Sequence, residues 1–134
     1  MNLPPKVRIF VWKIFHKSLP VVVEFYRRHI ATSPYCFICN SCEETINHAL
    51  FFCPRAKAVW HLSKLPINLS RTDQSPYEDI LLQLSATIST SEFELFLVYC
   101  WSIWHGNTVK TPADVASYAP SFLKEFQAAR AKHQ

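Results

Sequence analysis

The sequence predicts a mainly α-helical protein, and three observations support this fold class. Apolar residues recur at the three- and four-residue spacing of an amphipathic helix in several segments. Hydroxyl residues followed three positions later by an acid mark helix starts. The chain holds a single glycine, which argues against turn-rich β architecture and against glycine loops that cradle phosphates.

Prolines and capping signals divide the chain into successive helices. The first helix begins after Pro4-Pro5 and ends at Leu19-Pro20, because proline cannot continue a helix interior. Ser91-x-x-Glu94 and Thr111-x-x-Asp114 are typical of capping boxes. The later helices are expected over about 21–29, from about 45, and over 54–64, 77–84, 92–105 and 112–132.

Cys36, Cys39, His48 and Cys53 stand at the separations of a tetrahedral zinc site. The two-residue gap between the first two cysteines lets both thiolates bind one ion from a tight knuckle. Three thiolates and one imidazole fill four positions without water, which is typical of a structural site. The sequence therefore predicts a small helical domain with a Cys-Cys-His-Cys zinc knuckle, followed by a helical C-terminal extension.

The five-residue separation of His48 and Cys53 needs a break in the helix. A continuous α-helix would turn these side chains roughly 140° apart. Pro54 disfavours the helical conformation for the residue before it, so Cys53 is expected to lie past the helix end. The helix should begin near Thr45, with Glu43 and Glu44 close to its positive end.

Cys42 leaves other assignments open. Cys36, Cys39 and Cys42 form two overlapping pairs, as in the opening of a ferredoxin-type iron–sulfur motif. Cys53, however, comes too late for the fourth cysteine of such a motif, and His48 would have no role. Reduced structural cysteines are the remaining alternative. We expect Cys42 to be a bystander, and His61 is the single reserve ligand.

Length and composition indicate one modest globular module. With 134 residues and 49% hydrophobic content, the core should be large enough for the metal to assist folding without supplying all of it. We expect a zinc-binding domain at 1–65, a loop at 66–76 and a helical extension at 77–134 packed on it. Five cysteines in a chain without a secretory pattern predict an intracellular protein, nuclear or cytoplasmic. Basic residues interrupt the N-terminal apolar positions, and the apolar run at 96–104 is too short to span a membrane.

Aromatic residues receive structural interpretations. All four tryptophans lie in apolar helical patterns and are expected in the core or between helices. Tyr35 and Phe37 are expected to pack against the zinc helix. The C-terminal helix, with Tyr118, Phe122 and Phe126 at four-residue spacing, should dock on the bundle, although it could present this face to a partner.

Positive charge permits contact with nucleic acid. The net charge is +4, and basic residues concentrate before the zinc motif and again after it. Arg27, Arg28 and Lys57 are the candidate contacts for RNA or single-stranded DNA, with Tyr35 or Phe37 as stacking platforms if they are exposed. The alternative is a solvated helix face that keeps the module soluble.

Several landmarks resemble the zinc-binding domain of plant non-LTR (LINE-type) retroelement reverse transcriptases. They are LPPKV, Phe10-x-Trp12, Leu19-Pro20 and Arg28-x-Ile30 before the cysteines, then Glu44-Thr45, His48-x-x-Phe51 with Cys53, and Trp60, and finally the aromatic segment Glu92 to Trp104. The resemblance runs from about Leu3 to Asn107, where an expected arginine is missing. It implies that Cys36, Cys39, His48 and Cys53 bind Zn²⁺.

The resemblance transfers no catalytic residue. The carboxylate motifs of reverse transcriptase and ribonuclease H are not apparent, which is typical of a detached fragment of a polyprotein. The favoured hypothesis is a noncatalytic zinc-binding module that contacts nucleic acid or a protein partner. One alternative is a structural protein-interaction remnant without nucleic-acid binding. A thiol redox enzyme using two of the clustered cysteines is the third, although the supporting βαβ pattern is missing.

Overall fold

The structure is a computed structural model that describes residues 1–67, 76–106 and 110–132. Most of the loop expected at 66–76 lies outside these residues. So does Asn107, where the sequence lacks the arginine expected from the resemblance. The described part contains no β-strand, only one isolated bridge between Tyr35 and Glu43, so the mainly helical prediction is confirmed. The helices are α1 (Pro5–Phe15), α2 (Val22–Arg27), a π-helix (His48–Phe52), α3 (Pro54–Ser63), α4 (Tyr77–Thr87), α5 (Thr90–His105) and α6 (Pro112–Ala131).

The helix starts follow proline and capping chemistry. Prolines occupy the first turn of α1, α3 and α6, where no backbone N–H is required. The capping box of Thr111 with Asp114 forms as predicted. The box at Ser91 was wrong, because Ser89 and Glu92 offer the same pattern two residues earlier. Glu94 is instead buried, where it accepts the backbone N–H of Asn2.

Aromatic rings form the centre of the core. Trp60 of α3 lies 5.0 Å from Phe96 of α5 between ring centroids, and Phe51 of the π-helix stacks on the same Phe96 at 6.0 Å. Helix α6 packs against both α3 and α5. One hydrophobic core therefore contains residues from both sides of the expected loop.

Two prolines remove helix donors, and buried aromatic side chains replace them. Pro54 has no N–H for the carbonyl of Leu50 four residues earlier, and the indole Nε1–H of Trp60 donates to that oxygen at 2.7 Å. Pro120, inside α6, likewise cannot serve Ala116, whose carbonyl accepts the hydroxyl of Tyr99 at 3.0 Å. Each of these side-chain hydrogen bonds satisfies a carbonyl group that would otherwise lack its helix donor.

Polar contacts tie the N-terminus to later helices. The hydroxyl of Tyr77 donates to the Ile14 carbonyl in the last turn of α1 at 2.7 Å, and burial raises the pKa of Tyr77 to about 12. Gln127 of α6 donates to the Asn2 carbonyl at 2.9 Å. These contacts tie α1 to α4 and the segment before α1 to α6.

Aromatic contacts join the C-terminal helix α6 to α5. Phe122 of α6 stacks on Trp101 at 5.2 Å, and the ammonium of Lys110 lies 3.8 Å from the ring centre of Tyr118. None of the described helices combines the length and the apolar character that a membrane crossing requires.

The tryptophans have different environments. Trp60 is buried as predicted, and Trp101 and Trp104 are partly buried beside the core. Trp12 was expected to be buried, yet it is 56% exposed, and within the described ranges its one ring contact is with His16 of the next turn. The apolar spacing of α1 includes Ile9, Trp12 and Phe15 on a second face that no described helix covers, which explains the error.

Candidate metal centre

The first two cysteines lie on a tight backbone knuckle. The N–H of Cys36 donates to the Cys42 carbonyl at 2.8 Å, and the N–H of Asn40 donates to the Cys36 carbonyl at 2.9 Å. Asn40 takes a left-handed conformation with φ of 57°, which asparagine tolerates better than most residues. The N–H of Ile38 points at the Cys36 sulfur at 3.4 Å. This geometry turns both thiols to the same side.

The π-helix resolves the spacing of the second pair. The N–H of Cys53 donates to the carbonyl of His48 at 2.7 Å, a bond that spans five residues and closes a π turn. Cys53 itself has left the helix, with φ of −59° and ψ of 137°, as its position before Pro54 predicts. The Thr45 hydroxyl accepts the N–H of His48 at 3.1 Å and so caps the segment near its predicted start.

The fold brings the four predicted ligands together. One ligand atom from each of Cys36, Cys39, His48 and Cys53 lies within 4.8 Å of every other. The Cys39 sulfur is 3.3 Å from Nε2 of His48. Tetrahedral zinc with Zn–S bonds of about 2.3 Å requires sulfur atoms roughly 3.8 Å apart. The donor set and its spacing therefore fit zinc.

The four clustered residues are more buried than the other candidate ligands, Cys42 and His61. Cys36, His48 and Cys53 are buried and Cys39 is partly exposed. Cys42 is exposed and outside the cluster, contributing its backbone carbonyl to the knuckle instead. His61 is exposed on α3 and also outside the cluster. The cluster as placed does not have the composition of a four-cysteine iron–sulfur site.

The thiols have different electrostatic surroundings. Backbone N–H groups of Ser41 and then Cys42 lower the pKa of Cys39, against an opposing effect of burial. Burial raises the pKa of Cys53 to about 11, and the neighbouring Cys36 and Cys39 add to this effect. Three thiolates so close together repel one another, so a bound cation would stabilise the charged form of all three.

Glu44 anchors the knuckle to α2, a role that the sequence analysis missed. Its side chain is buried and accepts the backbone N–H of Val22 at 2.8 Å, while its carbonyl accepts the N–H of Val23 at 3.2 Å. The N–H of Glu44 donates to Pro34 before the knuckle at 2.9 Å. Burial raises the pKa of this carboxyl group, opposed by the bond to Val22. In the sequence, only the place of Glu44 in the Glu44-Thr45 landmark pointed to a role for this residue.

Arg55 connects the cluster of Cys36, Cys39, His48 and Cys53 to the C-terminal helices. This role was not identified in the sequence analysis. Arg55 follows Cys53 by two residues, and its guanidinium donates to the carbonyls of Gly106 and of Lys110, the latter at 2.8 Å. A longer bond of 3.4 Å reaches the Ile103 carbonyl. Arg55 therefore caps the negative C-terminal end of α5. Sequence spacing alone offers no signal for a contact across about fifty residues.

The predicted nucleic-acid contacts are exposed but do not form one cluster. Arg27 and Arg28 lie at the C-terminal end of α2, where Arg27 pairs with Glu24 at 3.0 Å. Lys57 is exposed on α3, and α2 makes no extensive contact with α3 within the described ranges. Tyr35 and Phe37 were expected to be buried, yet they are 50% and 74% exposed. The knuckle turns its thiols inward, which leaves the side chain between them in solvent.

Residues 1–60 match a family described as zinc-binding in reverse transcriptase. This part of the chain is similar to the zinc-binding domain of reverse transcriptases. All four clustered residues lie inside it, and the resemblance found in the sequence is confirmed for this part. The domain match ends at Trp60, whereas the resemblance drawn further, to Asn107, stays a prediction.

A relative from Arabidopsis thaliana bears the name "putative ribonuclease H protein" and is 28% identical over 60 residues. The match covers 45% of this chain and 10% of the relative, so the chain corresponds to a small part of that protein. No solved structure matches the chain. The helices α4, α5 and α6 lie beyond the matched residues yet share one hydrophobic core with them.

Proposed function

We propose that the chain is a noncatalytic module of retroelement origin that holds one structural Zn²⁺ and acts by contacting nucleic acid. The observation that carries this proposal is the convergence of the Cys36, Cys39, His48 and Cys53 ligand atoms within 4.8 Å. Bound zinc would cross-link the knuckle to the π-helix. Because four protein ligands complete a tetrahedral shell, no position would be left for an activated water.

The metal assignment is tested on protein purified without added metal. We expect one zinc per chain, and Cys36→Ser, Cys39→Ser, His48→Ala and Cys53→Ser should each greatly reduce it. Structural zinc contributes on the order of 10 kcal/mol to small sites, so losing one ligand should also loosen the knuckle. Cys42→Ser is the matched control, because Cys42 is exposed in the same loop and outside the cluster. Zinc loss in this control, or full occupancy in Cys53→Ser, would contradict the assignment.

Exposed basic and aromatic side chains support contact with nucleic acid. Arg27, Arg28 and Lys57 are available at the surface, and Phe37 projects from the knuckle with 74% exposure. Lysine and arginine neutralise phosphates, while an exposed ring can stack on any base. The contact should therefore be weak, tolerant of sequence and sensitive to salt.

A salt titration with labelled RNA and single-stranded DNA measures this contact. Each neutralised phosphate contributes about 0.7 to the slope of log affinity against log salt. Arg27→Ala with Arg28→Ala should reduce the slope by up to about 1.4. An unchanged slope would remove these arginines from the interface. If no binding occurred even at low salt, the chain would instead be a structural protein-interaction remnant.

The distribution of acidic and thiol groups supports a role without catalysis. Phosphoryl-transfer enzymes commonly hold two metal ions about 4 Å apart with clustered carboxylates. Outside the cysteine cluster, the described ranges contain no group of three or more His, Cys, Asp or Glu side chains placed to hold a metal ion. Asp79 and Asp114 lie on different helices, and Asp73 falls outside the described residues. Zinc would also suppress thiol exchange by its ligands.

Activity assays test this inference. Primed template with nucleotides, an RNA–DNA hybrid and a disulfide substrate should all stay at background with the zinc-loaded chain. Turnover that disappears on changing one of the chain's own acids or cysteines would refute a noncatalytic role.

A further inference from the structure

A groove of about 510 Å³ lies between α1 and the C-terminal half of α5. Its volume falls in the range of sites that hold small ligands or single nucleotides. The residues that matter for its chemistry are Lys6, Lys13, Trp101, Trp104 and His105. This groove is separate from the cysteine cluster and from Arg27, Arg28 and Lys57, none of which line it.

The groove is positively charged. No acidic residue lines it, and the first 23 residues of the chain contain no aspartate or glutamate. Lys6 and Lys13 are exposed, and neither forms an ion pair within the part of the chain that the structure describes. Burial, and then the charges of Lys13 and Lys6, lower the pKa of His105, so both lysines act on the same space. Two unpaired lysines in a groove without acids favour an anionic ligand.

The groove also offers a planar apolar surface. Trp101 is held between Phe122, at 5.2 Å, and His105, at 5.3 Å. Trp104 is partly buried in the groove wall, and no other ring packs against it within the described ranges. A ligand with flat π-faces can therefore stack there.

The neighbouring surface extends the same chemistry across α1. A second depression of about 550 Å³ is lined by Pro5, Arg8, Ile9 and Trp12, and it meets the groove at Ile9. Arg55 offsets the negative carbonyl end of α5 close by, through its bonds to Ile103 and Gly106. Basic side chains and the indoles of Trp12, Trp101 and Trp104 thus line two adjoining depressions.

We propose that this groove binds single-stranded nucleic acid, with a base stacked on Trp104 and phosphates neutralised by Lys6 and Lys13. A single strand presents both free base faces and regularly spaced phosphates, so it matches both features of the groove. The two lysines are seven residues apart on α1, or about 10 Å along the helix axis. This inference rests on the nucleic-acid contact proposed above and assigns it a separate site.

The experiment uses the zinc-loaded full chain and a labelled oligo(dT) of about 12 nucleotides, within the site sizes of single-strand-binding folds. Affinity is measured by fluorescence anisotropy over a series of salt concentrations. Lys6→Ala with Lys13→Ala should reduce the salt slope by about 1.4. Trp104→Leu should weaken binding about tenfold while leaving the slope unchanged, because stacking releases no counterions. As the control, Lys124→Ala in α6 with Lys132→Ala directly after it removes the same charge outside the groove. It should leave the Lys6 and Lys13 slope change and the Trp104 affinity change as they are.

Three results would overturn the proposal. Oligonucleotide binding that loses slope only with Arg27→Ala and Arg28→Ala would move the contact to α2 and leave the proposed function intact. Absence of binding by the unchanged protein at low salt would instead remove the nucleic-acid function itself. Equal affinity for polyglutamate, with no effect of Trp104→Leu on either ligand, would make the groove a site for acidic polypeptide. If Trp104→Leu loses zinc or helical content, Trp104→Phe replaces it and should retain most of the binding. The change of slope in Lys6→Ala with Lys13→Ala then still tests whether the groove is the site.

Discussion

The bond between Tyr99 and Ala116 should stabilise the protein because of Pro120. Tyr99 is 1% exposed, and its hydroxyl supplies the donor that Pro120 cannot provide to the Ala116 carbonyl. Burial raises the pKa of Tyr99, so the donating proton is retained. Tyr99→Phe removes this donor while keeping the ring near Trp60, 5.7 Å away.

The expected cost can be worked out from the two groups involved. A typical hydrogen bond contributes about 1 kcal/mol net, and an unsatisfied buried carbonyl costs about 1–3 kcal/mol. Ala116 is partly buried, so water compensates for part of this loss. Tyr99→Phe should therefore reduce the free energy of unfolding by about 1–2 kcal/mol.

A double-mutant cycle tests the cause. Pro120→Ala restores a backbone N–H at the position that normally serves Ala116. In that background Tyr99→Phe should cost much less, with a coupling energy of about 1 kcal/mol. Urea unfolding at constant saturating zinc measures all four proteins. An equal cost of Tyr99→Phe in both backgrounds would refute the argument.

Two further predictions concern residues beside the cysteine–histidine cluster. Arg55→Met keeps the apolar stem but removes the guanidinium from the Gly106 and Lys110 carbonyls, so the free energy of unfolding should fall by about 2 kcal/mol; an unchanged urea midpoint would contradict this role. Glu44→Ala should cost about 1–3 kcal/mol because it leaves the Val22 N–H without its acceptor, whereas Glu44→Gln keeps a carbonyl oxygen there. Thermal unfolding at fixed zinc compares these two variants, and equal losses would argue against the hydrogen bond as the cause.

Exposure was the property that sequence patterns predicted least well. Trp12 lies at helical apolar spacing, yet the pattern cannot say whether a neighbouring helix covers that face, and none of the described helices does. Phe37 was expected to pack against the zinc helix, yet it lies exposed between the inward-turned thiols of Cys36 and Cys39. The Ser91 cap failed because two overlapping Ser-x-x-Glu patterns satisfy the same local rule. Burial of Glu94 and its contact with Asn2 decided between them.

The sequence by itself determined the helical class, most helix boundaries and the four residues of the Cys-Cys-His-Cys cluster. These features depend on local chemistry: proline geometry, capping groups and the short spacing of Cys36 and Cys39. Only the tertiary structure decided how His48 reaches Cys53, since the π turn forms where Trp60 supplies the donor that Pro54 lacks. The contacts of Arg55 and the groove beside Trp104 likewise join segments distant in the chain. Such contacts depend on how helices pack, and local residue patterns contain no record of that packing.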